Sequence, residues 1–371
     1  MTPALRIAFG LAAVLLITAA GAGCAAVDPE TVSDSAKMLK GAGTPVAVAG
    51  ETQAVATQSA DAADDPAIWV DPTNPARAVI FGTDKQAGLY SYDLAGAITG
   101  FIPDGRLNNV DLRDGFPTAS GQRVLVAASD RGRLGAALYL MDPATLKTTP
   151  WGLAKLDLAE PYGLCMGRRG DGFIVIVNGT DGQVRQIRVA AGADGAPLWT
   201  EERRLSVGSQ TEGCVVDDQK GVLYIGEENR AIWRYALDPA SGSARALVAA
   251  APSQMLKPDI EGLTLLRDGA KTWLIASSQG DSAFAVWRVD GAAPVYAGRF
   301  SVMAARGVDG ITGTDGLDAM GGAIGSFPKG LLVIQDDVDS EGEALSTTRQ
   351  RQNFKLVDWR AVSDALGLPE R

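Results

Sequence analysis

Short apolar runs separated by Gly, Asp and Asn follow one another along the chain from about residue 45 onward. Apolar runs of this length, bounded by turn-forming residues, are typical of β-strands. Helical spacing of apolar positions is confined to one short stretch near the C-terminus, at residues 360–366. The pattern therefore predicts an all-β fold with many short strands.

The strand pattern recurs along the chain as six copies of one unit. Each copy opens with a polar marker residue and an apolar run, as in ADDPAIWV at 63–70, and the markers recur every 46 to 51 residues. The markers are Asp65, Asp111, Tyr162, Glu212, Glu261 and Asp309. A second motif follows each marker: a strand, a polar bend and another strand, as in VLYIGEENRAIWRYAL at 222–237.

Four strands fit into a unit of about 48 residues, and units of this length are the signature of a β-propeller. Six units predict a six-bladed β-propeller, with four-stranded antiparallel blades around a central channel. A β-helix is the alternative, but its repeats are much shorter. The strand-like segment ETQAVAT at 51–57 precedes the first marker, so we expect it to complete the last blade and close the ring.

Equivalent positions of the six blades should meet at one end of the channel, because every blade contributes its innermost strand there. The polar residues near the markers are Asp64, Asp65, Asn109, Asp111, Tyr162, Glu212, Asp259, Glu261 and Asp309, and those on the bends are Lys85, Asp130, Arg131, Glu227, Glu228, Gln279, Asp336 and Asp337. A single Asp at a strand end is often a turn former that caps backbone amides. So many converging carboxylates would repel one another unless cations neutralised them.

Composition narrows the chemistry of this predicted funnel. The net charge of −10 and the pI near 4.7 argue against nucleic-acid binding. The chain has no histidine, which excludes a Ser-His-Asp hydrolase and disfavours a zinc site. A site with many oxygen ligands favours Ca²⁺. Metal-assisted hydrolysis is therefore the catalytic mechanism that remains. Carboxylate-bound cations together with Lys85 and Arg131 suit a polyanionic substrate such as an organic phosphate.

The N-terminus indicates export rather than fold. The apolar run at 4–20 is followed by GAGC, which ends at Cys24, and residues 1–24 read as a bacterial export signal. We expect either lipid attachment at Cys24, which would be the sole link to a membrane, or ordinary secretion, giving a periplasmic or extracellular protein. Residues 25–44 are small and polar and are predicted to form a tether ahead of the propeller domain at 45–371. In an oxidising compartment Cys165 and Cys214 form a disulfide or stay as two buried thiols.

Several stretches together resemble the β-propeller phytases, or alkaline phytases, over almost the whole mature chain. They are DAADDPAIWVDP, GRLNNVDLR, QTEGCVVDD, LYIGEENRAIW, PDIEGLTL, LIASSQG, TDGLD and QNFKLVDW. The resemblance implies a six-bladed, calcium-dependent enzyme that removes phosphate from phytate (myo-inositol hexakisphosphate) held as its calcium complex. It also implies a cleavage site with an adjacent affinity site for phosphate, and several calcium ions in the cleft and between the blades.

The same resemblance assigns roles to individual residues. Lys85 and Arg131 match phosphate-binding cations, and Tyr162 matches a tyrosine of the cleft. The carboxylates that match those holding cleft calcium ions and the attacking water are Glu212, Glu228, Asp259 and Glu261. The other residues that match calcium ligands or line calcium sites are Asp64, Asp65, Asn109, Val110 (through its carbonyl), Asp111, Gln279, Asp309, Asp315 and Asp336. The chain departs from the family pattern at Asp71, Thr180 and Gly313, which puts the affinity site and one calcium ligand in question.

Two other functions fit a calcium-stabilised propeller: a non-enzymatic binding module, and a propeller lactonase. Lys85 and Arg131 favour the phosphatase, because a lactonase has no need of phosphate-binding cations beside its carboxylates. The sequence thus predicts an exported phytase that acts on calcium phytate as a monomer.

Overall fold

Strands account for most of the chain in the computed structural model, which describes residues 41–58, 61–341, 344–345 and 351–369. The predicted export signal at 1–24, Cys24 and most of the predicted tether at 25–44 lie outside the described residues. Among the residues that are described, no helix is long and apolar enough to cross a membrane.

The described strands form six blades, one extra strand at the edge of a blade and one small separate hairpin. Two strands precede the first blade: β1 (Thr44–Ala47) and β2 (Gly50–Glu51). Blade one contains β3 (Ala63–Val70), β4 (Ala78–Asp84), β5 (Gly88–Tyr92) and β6 (Ile98–Ile102). Blade two contains β7 (Leu107–Thr118), β8 (Gly121–Asp130), β9 (Gly135–Met141) and β10 (Thr148–Lys155). Blade three contains β11 (Pro161–Arg169), β12 (Gly172–Gly179), β13 (Gln183–Ala191) and β14 (Pro197–Ser206).

The second half of the ring repeats the arrangement. Blade four contains β15 (Thr211–Asp217), β16 (Val222–Glu227), β17 (Ala231–Ala236) and β18 (Arg245–Ala250). Blade five contains β19 (Leu263–Asp268), β20 (Lys271–Ser278), β21 (Ala283–Arg288) and β22 (Val295–Met303). Blade six contains β23 (Leu317–Gly321) and β24 (Gly330–Asp336), then, after the small hairpin β25 (Ser340–Glu341) and β26 (Ala344–Leu345), β27 (Asn353–Asp358). Helix α1 (Trp359–Ala365) follows, which confirms the short helix predicted near residues 360–366.

Blade six is completed by the N-terminal end of the propeller. Strand β2 pairs antiparallel with β27, where Glu51 lies opposite Lys355, so one blade joins both ends of the domain. The sequence predicted this closure, but the strand is shorter and earlier than the segment 51–57. Strand β1 adds to the outer edge of blade five by pairing parallel with β22.

Hydrophobic packing lies between the blades. Six apolar clusters are found in the described part of the chain, one at each junction between neighbouring blades. The second strand of each blade is almost wholly buried, because both of its faces meet a neighbouring blade, and GFIVIVNG in β12 shows the resulting apolar run. Phe116 and Phe173 meet edge to face across one junction, with ring centroids 4.9 Å apart.

A glycine follows the marker in four blades, because neighbouring blades touch there. A Cβ on Gly163 would lie 1.9 Å from the Glu212 carbonyl oxygen, and one on Gly316 would lie 2.0 Å from Asp65 Oδ1. Gly213 and Gly262 meet the next blade in the same way. The contact of Gly316 with Asp65 joins blade six to blade one. These close contacts therefore complete the ring of inner strands.

This arrangement corrects the predicted marker residue of blade six. The residue before the glycine of blade six is Asp315, whereas Asp309 lies eight residues ahead of β23 and begins no inner strand. The spacing was wrong here because a long connection separates β22 from β23, and a residue count does not distinguish connection from strand.

Aspartates satisfy backbone N–H groups of the inner strands, whose free edges face the channel. Asp65 accepts from the Val110 N–H at 3.0 Å, and Asp318 accepts from the Ile68 N–H at 2.8 Å. Each hydrogen bond connects two neighbouring blades and satisfies a backbone N–H donor at the free edge of an inner strand. A disulfide between Cys165 and Cys214 links the inner strands of blades three and four, which settles the alternative left open by the sequence.

Candidate active site

The mouth of the channel lies where first strands begin and second strands end. In blade four, Thr211 at the start of β15 pairs with Glu227 at the end of β16. The bend residue Glu228 therefore lies beside the marker Glu212, as the repeat predicted. Blades one and two show the same antiparallel register. The six inner strands line a cavity of about 510 Å³ in the channel, and Glu212, Glu228 and Glu261 are not part of its lining.

Three glutamates form the closest carboxylate group at the mouth that the described residues contain. Glu212, Glu228 and Glu261 each place one carboxylate oxygen so that all three lie within 4.8 Å of one another. All three side chains are buried. Burial, and then the neighbouring Glu261 carboxylate, raise the pKa of Glu212 well above its ordinary value, and burial and Glu228 do the same to the pKa of Glu261. We call these residues the glutamate triad.

Two asparagines at the start of β7 hold the glutamate triad in place. Asn108 Nδ2 donates to Glu212 Oε1 at 2.7 Å, and Asn108 Oδ1 accepts from Arg131 Nη1 at 3.2 Å. In the amide orientation that satisfies its neighbours, Asn109 donates to Glu212 Oε1 and to the Tyr162 carbonyl, both at 3.1 Å. Asn109 was predicted as a site residue, whereas Asn108 was missed. The Asn-Asn doublet at the start of an inner strand was the available signal.

Lys85 lies buried among carboxylates rather than at the rim. Its Nζ is 2.9 Å from Asp61, 3.1 Å from Asp64 and 3.0 Å from Asp315. Burial alone would lower the pKa of Lys85, but the three carboxylates raise it well above its ordinary value. Burial is also the main reason that the pKa of Asp64 is raised to about 7, against the opposing effect of Lys85. Asp61 was missed by the sequence reasoning, although it lies three residues before the predicted pair.

Arg131 is the predicted cation that reaches the rim of the mouth. Its Nε donates to Glu160 Oε1 at 2.7 Å, and its guanidinium lies 5.2 Å from the ring centre of Tyr162. Tyr162 is buried beneath it, while the Arg131 side chain keeps 17% of its surface exposed. Arg131 can thus offer unused N–H donors to an anion above the mouth.

Asp259 and Gln279 complete the mouth from blade five. Asp259 is half-buried, and burial raises its pKa while a hydrogen bond from Asn229 opposes the shift. Gln279 donates through its backbone N–H to the Asp259 carbonyl at 3.0 Å and through Nε2 to Asp315 Oδ1 at 2.7 Å. Gln279 thereby connects the glutamate side of the mouth to the Lys85 group.

Two other predicted metal ligands, Asp65 and Asp111, make their contacts outside the glutamate triad. Asp65, whose pKa is raised well above its ordinary value by burial and then by Asp64, is engaged with the Val110 N–H. Asp111 lies further along the channel, where it accepts from the Met166 N–H at 2.7 Å and pairs with Arg113 at 3.0 Å. The structure does not bring Asp111 into the glutamate triad.

Asp309 and Asp336 belong to a separate group in blade six. Both pair with the buried Lys355, Asp336 at 3.2 Å, and Glu51 pairs with the same ammonium at 2.6 Å. Burial raises the pKa of Asp336 to about 7, which Lys355 partly opposes. This group ties β2 and β27 together at the point of ring closure.

The departures from the family pattern have local structural settings. Gly313 has a φ of +54°, a conformation that favours glycine over the acidic residue expected there. Asp71 forms a turn with Thr73 and Asn74 and pairs with Arg77 at 2.8 Å. Thr180 lies on the bend of blade three and donates its N–H to the Glu160 carbonyl at 3.4 Å.

The glutamate triad fits a hard cation. Its donors are all carboxylate oxygens, which suit Ca²⁺ better than a transition metal. Among the residues that the structure describes, neither Glu212 nor Glu261 forms an ion pair with a basic side chain, and the charge of Lys85 only partly opposes the raised pKa of Glu212. A bound cation would offset the repulsion that raises the pKa values of these carboxyl groups.

The chain is similar to known proteins over most of its length. A sequence model of the phytase family matches residues 8–370. A 3-phytase from Bacillus subtilis (strain 168) is 36% identical over 329 residues, covering 85% of this chain and 84% of that protein. A crystal structure of a nidogen/laminin complex contains a chain that is similar with a TM-score of 0.44 and 16% identity, covering 74% of this chain and 95% of that one.

Proposed function

Since the chain belongs to the phytase family, we propose that its phytase reaction depends on calcium ions, one of them held by the glutamate triad. The reaction is the hydrolysis of phytate, with release of inorganic phosphate. Family membership favours this phosphatase over the binding module and the lactonase that the sequence also allowed. The carrying observation is the convergence of Glu212, Glu228 and Glu261 within 4.8 Å.

Calcium at this site would lower the pKa of a bound water, polarise the substrate phosphoryl group and neutralise part of its charge. The chain's own residues would do the rest. Asn108 and Asn109 orient Glu212 through hydrogen bonds of 2.7 Å and 3.1 Å. Asp259 and Glu261, whose pKa values are raised mainly by burial, lie at the same mouth and would serve as the acid-base groups.

Arg131 and Lys85 act at different depths in this proposal. Arg131 keeps exposed donors above Tyr162 and would contact a substrate phosphate directly. Lys85 is buried between Asp61, Asp64 and Asp315, so it would act first by offsetting their charge, which otherwise repels an anionic substrate. Tyr162 would support the Arg131 guanidinium from below through its ring.

Further calcium ions remain part of the proposal. The residues proposed to hold or line additional sites are Asp64, Asp65, Asn109, Val110, Asp111, Gln279, Asp309, Asp315 and Asp336. Four further proposals rest on the sequence and the family resemblance. They are export to the periplasm or the medium, a lipid on Cys24, a monomeric state, and calcium phytate as the bound form of the substrate.

Phosphate release from phytate tests the proposal when it is measured with calcium and again with excess chelator. We expect release with calcium, loss of release with chelator and recovery when calcium is restored. Release that continues in chelator would contradict the calcium mechanism, and no release under any condition would contradict the function. Thermal unfolding in each buffer separates loss of the active site from loss of the fold.

A further inference from the structure

The disulfide between Cys165 and Cys214 lies close in sequence to two residues of the mouth. Cys214 follows Glu212 by two positions on inner strand β15, and Cys165 follows Tyr162 by three positions on inner strand β11. Both cysteines are buried in the apolar cluster between blades three and four. The bond therefore joins the two strands that carry Glu212 and Tyr162 to the mouth.

Glu212 and Tyr162 lie in irregular parts of these strands. The pairing register shifts just before Cys214 in β15 and just before Leu164 in β11. Both residues are therefore in β-bulges, where the regular ladder does not fix the backbone. Regular pairing resumes at Cys214 in β15, and at Leu164, next to Cys165, in β11. The disulfide thus joins the first regularly paired segments below the two bulges.

Blade three contacts the Glu212 backbone directly. Asn178 Nδ2, at the end of β12, donates to the Glu212 carbonyl at 2.9 Å. A Cβ on Gly163 would lie 1.9 Å from the same carbonyl oxygen, so the two backbones touch there. These contacts and the disulfide hold the Glu212 backbone against blade three. From this fixed backbone its side chain meets Glu228 and Glu261 within 4.8 Å.

Two other junctions of the ring use a hydrogen bond at a similar distance along their inner strands. Between blades two and three, Asp111 accepts from the Met166 N–H at 2.7 Å. Between blades six and one, Asp318 accepts from the Ile68 N–H at 2.8 Å. A hydrogen bond can lengthen when blades move, whereas a disulfide restricts the separation of the two strands. The junction that carries Glu212 is held covalently instead.

We propose that Cys165 and Cys214 are positioning residues of the active site. Their disulfide holds the Glu212 carboxylate where it can share a calcium ion with Glu228 and Glu261. The proposal rests on the phytase function proposed above. It assigns the cysteines no contact with the substrate, and their effect on the reaction passes through the glutamate triad.

Reduction of the disulfide should release this constraint without breaking the hydrogen-bonded blades. Cys214 lines the channel cavity of about 510 Å³, so a small dithiol can reach the bond from the channel. The two thiols of dithiothreitol transfer two electrons and two protons to the protein disulfide. The products are one thiol on each cysteine and a cyclic disulfide of the reductant.

The experiment measures calcium binding by titration calorimetry and phosphate release from phytate over a range of calcium concentrations. The proteins are the oxidised wild type, the wild type reduced with dithiothreitol, and Cys165→Ala/Cys214→Ala. Labelling of free thiols confirms the redox state, and thermal unfolding confirms the fold at the assay temperature. The calcium-binding heat that is lost in Glu228→Gln identifies the triad site.

Phe116→Leu is the control for a general loss of stability. Phe116 packs edge to face on Phe173 at the end of β7 that is remote from the mouth. The substitution should lower the unfolding temperature and leave calcium binding at the triad unchanged. Dithiothreitol should not change the calcium affinity of Cys165→Ala/Cys214→Ala, which has no disulfide to reduce.

We expect reduction and the double substitution each to raise the calcium Kd of the triad site about tenfold. The calcium concentration for half-maximal phosphate release should rise by the same factor, and most of the turnover should return at saturating calcium. Such a shift is not expected of a bond that only stabilises the fold.

A lower unfolding temperature with unchanged calcium affinity would overturn the proposal, because the disulfide would then serve stability alone. Unfolding of both the reduced enzyme and the double variant would overturn it for the same reason. An equal effect of dithiothreitol on the wild type and the double variant would also overturn it. A wild type that binds calcium but releases no phosphate would instead refute the phytase function, while the calcium titration still tests the cysteines.

Discussion

Asn108 donates a hydrogen bond from its side-chain amide to Glu212 at 2.7 Å. The same side chain accepts from Arg131 at 3.2 Å, so one asparagine connects the glutamate triad to the rim cation. Asn108→Asp keeps the acceptor but removes the donor and adds a negative charge beside Glu212. We expect kcat/KM for phytate to fall about tenfold to a hundredfold, because the new carboxylate repels Glu212.

Asn74→Asp is the matched control for this change, because Asn74 is exposed and also uses its side-chain oxygen as an acceptor. It should retain the wild-type kcat/KM. Equal activity of the two variants would remove Asn108 from the active site.

Glu228→Gln tests the glutamate triad. The substitution preserves shape but removes one of the three converging charges. We expect turnover of phytate to fall by about a hundredfold or more while thermal unfolding in chelator changes little. Glu201→Gln, on the outer strand of blade three, should keep its turnover. Near-normal turnover of Glu228→Gln at saturating calcium would show that the triad is not the reaction centre.

The stability of the calcium-free protein should depend on pH through Asp318. Burial, and then the Asp111 carboxylate, raise the pKa of Asp318 from 3.8 to about 6. The folded state therefore holds this proton more tightly than the unfolded chain, so the contribution of Asp318 to stability decreases as the pH rises from about 4 to about 6, and is constant above that.

Asp318→Asn should remove this contribution. In chelator, the free energy of unfolding of the variant minus that of the wild type should increase by up to about 3 kcal/mol between pH 4 and pH 6.5. Urea unfolding at several pH values measures the difference, and Asp364→Asn, on the exposed face of α1, is the control. A difference that does not vary with pH would contradict the burial of a charged Asp318.

Gly316→Ala should disturb the ring of inner strands. The added Cβ would lie 2.0 Å from Asp65 Oδ1 and 2.6 Å from the Asp65 Cα, and backbone must move to make room. We expect a loss of about 3 kcal/mol in the free energy of unfolding, together with lower activity because Asp315 and Lys85 shift. At Gly50 an added Cβ meets nothing within 4 Å, so Gly50→Ala should be nearly neutral. Similar unfolding midpoints for both variants would contradict the close contact.

The architecture was predictable from the sequence because each blade leaves a local record. A buried second strand requires an apolar run, and the contact between blades requires glycine after the marker, as at Gly163 and Gly213. Both requirements recur at a nearly constant spacing. The error at Asp309 arose where the connection before β23 is longer than in the other blades.

The site was less predictable than the fold. Spacing showed that Lys85 reaches the mouth, but not that it is buried among three carboxylates, since depth depends on neighbours that are distant in sequence. Asn108 and Glu160 were missed because neither residue type marks a site without knowledge of its partners. Their roles depend on contacts with Glu212 and Arg131, which come from other positions of the ring.

The pairing of β2 with β27 also determines when the ring of blades can close during folding. Glu51 and Lys355 are separated by 304 residues, so their contact cannot form until nearly the whole chain has been synthesised. Contacts of such long range are slow to form. Blade six, and with it the completed ring, is therefore expected to assemble last, which leaves the nascent chain open during synthesis and is compatible with the export that we propose.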